Sequence, residues 1–322
     1  MWDFKLLKAT QTLEKTMAYM IYRLAMYLLL SLALVFGILA GIGTGLILDS
    51  FTSSGVFSGI GGTAGLAMTI LILYWFRGTW FYFIKAPHIV LLNEAIGEAF
   101  VQQGLAQVAH ARSRVGERFC SSTHLYTLDN RIKAVLTYLF RRCTGAGKWL
   151  VRLEDTLFSR LIGRVLEVPI TYVHEVIIAE CLKDLTRSAS AVATTALALY
   201  AQNFDRLFKN ASVLLALKYL AALVIFILML APIGWIDEII PVEFGNWTYV
   251  FALLFTWPIK SALFDPIALA ALMGVFADLV RGQSIAPDWE AKLASDSPEF
   301  ASIKRQAEFL DRSSGNPDDS GI

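Results

Sequence analysis

Apolar residues come in long unbroken runs along this chain. Residues 24–48 carry no charge, Asp49 ends the run, and residues 51–76 are again uncharged. A bilayer core of about 30 Å takes about 20 helical residues at 1.5 Å each. Both runs therefore predict spans, joined by a turn into a transmembrane hairpin over residues 24–76. A second hairpin is expected at 211–260. There, residues 219–236 are apolar, an acidic loop follows with Asp237, Glu238 and Glu243, and residues 244–259 are uncharged. Lys218 stands at the inner end of the third span, where its long side chain is expected to snorkel to the interface. Trp235, Trp247 and Tyr249 flank the loop, as an aromatic belt does.

The pattern changes between the hairpins. Residues 78–92 are aromatic and apolar but broken by Lys85, Pro87 and His88. The stretch is too short to span and reads as re-entrant or interfacial. Residues 93–130 look helical, with a turn-prone SSTH at 121–124. In residues 148–168, Leu150, Leu153, Leu157, Leu161 and Val165 recur at helical spacing, with Lys148, Arg152, Arg160 and Arg164 on other faces. Such a basic amphipathic helix either lies on the anionic inner leaflet or packs within a small helical domain. Residues 170–186 form another helical run, and the uncharged small residues of 188–201 predict a buried helix. The expected fold class is thus an all-α integral membrane protein: about four transmembrane helices in two hairpins, a cytoplasmic helical insert at 77–210, and interfacial or re-entrant helices.

The ends complete this plan. Residues 1–23 predict a cytoplasmic N-terminal helix and 261–280 an interfacial or re-entrant one. In the tail, 281–322, Ser297-Pro298-Glu299 is a sound helix start, with a capping hydroxyl, proline at the first position and an acid in the first turn. Phe300, Ile303, Ala307 and Leu310 follow on one face, and disorder is expected from about residue 313.

Composition agrees with the pattern. The 322 residues are 56% hydrophobic and only 17% charged, against about 25% charged in soluble domains. The net charge of +1 informs only through its distribution. Lys5, Lys8, Lys15 and Arg23 precede the first span, residues 77–210 hold 17 Lys and Arg against 11 Asp and Glu, and the two outer turns hold no Lys or Arg. By the positive-inside rule both termini and the middle region are cytoplasmic. The first apolar run is too long for a cleavable signal peptide. Cys120, Cys143 and Cys181 all fall in the cytoplasmic part, which argues against a disulfide framework.

Few residues promise chemistry. Gly37, Gly41 and Gly45 recur every four residues in the first span; Gly55 with Gly59 and Gly61 with Gly65 repeat the spacing in the second. Missing side chains let helix backbones approach closely in lipid, so these seven read as packing residues. Thr144-Gly-Ala-Gly-Lys148 lacks the glycine and hydroxyl that a phosphate loop needs at 142 and 149, where Arg142 and Trp149 stand. His174-Glu175 lacks the second histidine of a zinc-protease helix, and His88 and His110 stand alone. No metal, cofactor or enzymatic activity is expected.

Lys260 and Asp265, bracketed by Pro258 and Pro266, sit at the edge of the fourth span. Charges at membrane depth face protein or water, so one reading is a polar point on a substrate path. The plainer reading ends the span near Lys260, since residues 244–260 already give about 25 Å of helix. FYFIKAPHIVLLNEA at 81–95 and TWPIKSALFDPIALAA at 256–271 share Ile-Lys after an aromatic run, with a proline beyond, which suggests a parallel repeat. Lys85 and His88 thereby join Lys260 and Asp265 as the candidate polar membrane site.

Two stretches resemble known proteins. ALALYAQNFDRLFKNA at 196–211 and FDPIALAALMGVFADLVRGQSIAPDWEAKL at 264–293 resemble segments of bacterial multi-pass membrane proteins of no assigned activity. The first also resembles the stretch before a late spanning helix in choline-transporter-like proteins, a family with more spans and a large external loop, both missing here. The resemblance implies a bacterial inner-membrane setting and carries no functional residues across. The expected function is a non-enzymatic scaffold or component of a membrane-associated complex, the alternative an oligomeric transporter or channel for a small solute or lipid. Expected partners are the bilayer with its anionic inner leaflet, a second copy of the chain or cytoplasmic proteins, and no nucleic acid.

Overall fold

A computed structural model of the chain describes residues 2–52, 55–143, 170–239 and 245–315. In chain order its helices are α1 (Leu6–Lys15), α2 (Met17–Thr52), α3 (Phe57–Trp75), α4 (Ala86–Ile96), α5 (Leu105–Arg118), α6 (Ser122–Cys143) and α7 (Ile170–Lys183). There follow α8 (Ala189–Gln202), α9 (Phe204–Ile239), α10 (Trp247–Ile259), α11 (Asp265–Val280), α12 (Pro287–Asp296) and α13 (Pro298–Gly315). π-helical turns at Phe81–Lys85 and Lys260–Phe264 lead into α4 and α11. Four stretches are long and apolar enough to cross a membrane: Met17–Thr52, Phe57–Trp75, Phe204–Ile239 and Trp247–Val280. The chain is an all-α, multi-pass membrane protein. The amphipathic helix expected at 148–168, the glycine-rich link at 144–148 and Glu243 lie outside the described residues.

The chain forms two compact units. Met17–Trp80 and Leu217–Pro266 make a spanning unit; Met1–Thr16, Phe81–Ala216 and Ile267–Ile322 make a helical unit.

In the spanning unit α2 and α3 pair backbone to backbone. A Cβ on Gly41 would land on the carbonyl of Gly61, one on Gly65 on that of Gly37, and one on Gly45 on that of Phe57. The constant sum of paired numbers marks an antiparallel register, and dispersion between touching backbones replaces the missing hydrophobic drive. Gly55 and Gly59 depart from expectation, because neither meets another atom. Gly59 lies two residues from Gly61, about 200° around the helix, and so faces away. Gly55 sits before α3 with φ +66°, a turn conformation that glycine adopts freely. Asp49, the acid that ends the first apolar run, reaches across the turn. Its carboxylate accepts the N–H groups of Phe57 and Ser58 at 3.0 and 2.9 Å, neutralising the orphan donors of the α3 N-terminus.

α10 packs on α2. Pro258 has no N–H to give the Leu254 carbonyl four residues earlier. Ser31 Oγ donates to that carbonyl instead, at 2.7 Å, from a fully buried position on α2. Tyr27 packs its ring against Trp80 and Trp257, with centroids 5.6 and 5.3 Å away.

The helical unit has an extensive core of its own. α4 and α11, the segments that read as re-entrant or interfacial, are covered by protein: Ile89, Leu91 and Leu92 on one, Leu269, Leu272 and Phe276 on the other are almost fully buried. α8 buries most of its length, as its composition predicts. Amphipathic α6 turns Leu125, Leu128, Ile132, Val135, Leu136 and Leu139 inward at helical spacing. Ser297 Oγ accepts the Phe300 N–H at the start of α13, and Phe300, Ile303 and Ala307 are buried. Leu310 is exposed, and α13 runs to Gly315, past the point where disorder was expected. The N-terminal helix is likewise two helices, with a break at Thr16. The Thr16 hydroxyl, fully buried, donates to Leu13 O at 3.1 Å and lies within hydrogen-bond distance, 3.2 Å, of His88 Nε2.

Candidate functional site

Lys260 and Asp265 are brought together, by a means that an α-helix does not offer. Residues five apart lie on different faces of an α-helix, about 140° apart. In a π-helical turn, where hydrogen bonds close from i to i+5, they share a face. Lys260 opens the second π turn, and its Nζ lies 3.6 Å from Asp265 Oδ1. Helix continues on both sides of the turn, from Trp247 to Val280. The turn's cause is Pro266, which cannot bond the Ala262 carbonyl and forces the helix to widen there.

A third charge joins them. Lys218 Nζ lies 3.2 Å from the same Asp265 oxygen, and its side chain is only 7% exposed. It does not snorkel; it is held by a buried carboxylate. Its Nζ lies 4.8 Å from the centroid of the Tyr219 ring, and that of Lys260 lies 6.0 Å away. Two ammonium groups share one carboxylate. Lys260 borders an apolar groove of about 590 Å³ between α9 and α10, lined also by Tyr219, Phe226, Tyr249, Leu253 and Trp257.

Lys85 and His88 do not form a common site. Lys85 ends the first π turn and pairs with Glu175 at 2.6 Å, while His88 is fully buried against Thr16. Beside His174 in the chain, Glu175 thus holds Lys85, and His174 itself belongs to a second polar group centred on the buried Asp129. Lys133 Nζ lies 2.5 Å from Asp129 Oδ2, and His174 Nε2 lies 3.4 Å from Asp129 Oδ1. The Phe81 ring stands 5.9 Å from Lys133 Nζ and 6.2 Å from the His174 ring. Two signals mark these groups in the sequence: Asp129 interrupts the apolar stripe of α6, and His174-Glu175 interrupts the apolar first half of α7. His110, which stood alone in the sequence, pairs with Glu94 at 2.9 Å.

Nearby backbone and thiol groups are also tied down. Arg118 donates to the carbonyls of Cys181 and Arg187, both at 2.8 Å, and its burial lowers its pKa. Burial pushes the Cys181 thiol up to about 12, so it stays protonated and inert near neutral pH. Among the described residues, no group of three His, Cys, Asp or Glu side chains is placed to hold a metal ion.

No protein-family model, curated protein or solved structure matches the chain.

Proposed function

We propose that this chain is a non-enzymatic scaffold, or a component of a membrane-associated complex, held in a bacterial inner membrane by four spans with both termini cytoplasmic. The observation that carries this reading is how the buried charges are used. Lys218 and Lys260 share Asp265, Lys85 holds Glu175, and Lys133 holds Asp129. Each of these lysines is held by a largely buried carboxylate, and ion pairs of this kind serve to fix one packing arrangement. The excess of Lys and Arg before the first span and across 77–210 supports the orientation.

The second reading is an oligomeric transporter or channel. It is favoured by the Lys218–Lys260–Asp265 cluster within the spanning unit and by α3, on which Gly62 alone is buried. Thiol accessibility separates the two. Lys260→Cys is made with the exposed Cys120 and Cys143 replaced by Ser, while the buried, protonated Cys181 is left in place. A membrane-impermeant maleimide is then applied from each side of sealed vesicles. Labelling from the cytoplasmic side only supports the scaffold; labelling from the outer side, or from both, means a water path and moves the transporter to first place.

A further inference from the structure

We propose that a cavity between α1 and α11 binds a phosphate monoester, its phosphate on Lys5 and Lys8 and its organic group against α11. The cavity holds about 310 Å³, and every residue that lines it belongs to the helical unit. That volume is at the small end of the range for ligand sites. α11 supplies an apolar floor, where Ala270, Ala271 and Val275 are buried and their short side chains leave room above them. Gly274 lies on the same wall, and a Cβ there would meet no atom within 4 Å, so the space over it is open.

Charge selects the ligand. The charged residues that line the cavity are Asp3, Lys5, Lys8, Asp278 and Arg281. Both acids are already engaged. Asp3 accepts from Arg206 at 3.3 Å and from Asn210 at 3.1 Å, and Asp278 lies 3.5 Å from Arg281. Setting each acid against its arginine leaves two positive charges, on Lys5 and Lys8, and neither lysine pairs with an acid among the described residues. Like charges three residues apart on a helix repel. An anion between them replaces that repulsion with charge-assisted hydrogen bonds. A carboxylate brings one charge to two ammonium groups, whereas a phosphate monoester, with its second pKa near 6, brings about two at neutral pH. The apolar floor favours an ester over inorganic phosphate, which would leave that floor uncovered.

Calorimetric titration of the full chain in phosphatidylcholine nanodiscs tests this, with phenyl phosphate as the probe. Saturable binding to one site per chain is expected, and inorganic phosphate should bind about tenfold more weakly. Lys5→Gln and Lys8→Gln should each weaken the probe about tenfold, through loss of a charge-assisted hydrogen bond. Gly274→Leu, whose side chain grows into the open space, should abolish binding while the thermal midpoint is kept, since leucine is the better helix former. Lys15→Gln, on α1 but outside the cavity, should change nothing. Nanodiscs that contain phosphatidic acid identify the source of the ester. Competition beyond that from phosphatidylglycerol of equal charge marks a lipid headgroup, and its absence marks a soluble ester. No saturable heat at millimolar probe overturns the proposal, as does equal affinity for inorganic phosphate. So does binding that both lysine variants leave unmoved, or that Lys15→Gln weakens as much as Lys5→Gln, which would mark diffuse surface charge. The exposed lysines decide the matter alone if Gly274→Leu does not fold.

Discussion

Removing the Ser31 hydroxyl should destabilise the spanning unit through a carbonyl on another helix. Leu254 O has lost its main-chain donor because Pro258 has no N–H, and Ser31 Oγ supplies the replacement bond at 2.7 Å from a fully buried site. Ser31→Ala leaves that carbonyl without its donor, in surroundings with no water to take its place. An unsatisfied buried acceptor costs about 1–3 kcal/mol, whereas side-chain hydrogen bonds between membrane helices average about 0.6 kcal/mol. A cost of about 1 kcal/mol is therefore expected. The diagnostic arm is Pro258→Ala, which returns an N–H at the position that serves Leu254 O. In that background Ser31→Ala should cost almost nothing, so the double-mutant cycle should give a coupling of about 1 kcal/mol. Reversible unfolding of all four chains in mixed micelles of mild detergent and dodecyl sulfate measures it. Equal costs of Ser31→Ala in both backgrounds would refute the link between proline and serine.

Three further outcomes follow from local geometry. Gly41→Ala should lower the thermal midpoint in detergent, since its methyl would land on Gly61 O, while Gly59→Ala, in open space, should raise it slightly by the roughly 1 kcal/mol difference in helix propensity; equal effects would contradict the packing face. Asp184 accepts from Thr186 N–H, Thr186 Oγ1 and Arg187 Nε, chiefly the Thr186 hydroxyl, and its pKa is held down to about 2. Against about 3.9 unfolded, its stabilisation is complete above about pH 5 and lost as pH falls toward 2. The stability gap between the unaltered chain and Asp184→Asn, of order 1 kcal/mol given its 28% exposure, should therefore be constant above about pH 5 and shrink steadily as pH falls toward 2. Finally, maleimide at pH 7.5 should modify Cys120 and Cys143 in the folded protein and Cys181 only on unfolding, read as a two-to-three step in intact mass.

What was legible in the sequence was set by length and local periodicity. The uncharged runs gave the spans, the small residues at 188–201 gave a buried helix, and the four-residue glycine spacing gave the α2–α3 face wherever its phase was also right. Gly59 has the spacing and the wrong phase, which only a defined partner face reveals. The hidden features share one cause: they depend on residues far apart in the chain or on departures from α geometry. The helical unit is assembled from Met1–Thr16, Phe81–Ala216 and Ile267–Ile322. No local signal announces that three separated stretches share one core. Lys218 reads as a residue free to snorkel until Asp265 is placed beside it, 47 residues along the chain. The Asp129 network was partly visible, because an acid on the apolar stripe of α6 demands a partner, but its partners lie on other elements.

The two π turns bear on the suspected repeat, and they change its register. Matching Ile84-Lys85 to Ile259-Lys260 sets Pro87 against Ala262, and it makes one lysine the last residue of its π turn and the other the first. Matching the prolines instead sets Pro87 on Pro266 and superposes the turns, Phe81–Lys85 on Lys260–Phe264. In each case the carbonyl that the proline cannot serve, Phe83 or Ala262, falls inside the turn. What the two stretches share is then a way of passing a proline without breaking the helix. The charges are not equivalent: Lys85 reaches a glutamate on α7, and Lys260 reaches an aspartate at the far end of its own turn. A widened turn shifts every following side chain around the helix axis. The same device therefore buries the apolar face of α4 in one case, and in the other it builds the one cluster of charges that borders the groove.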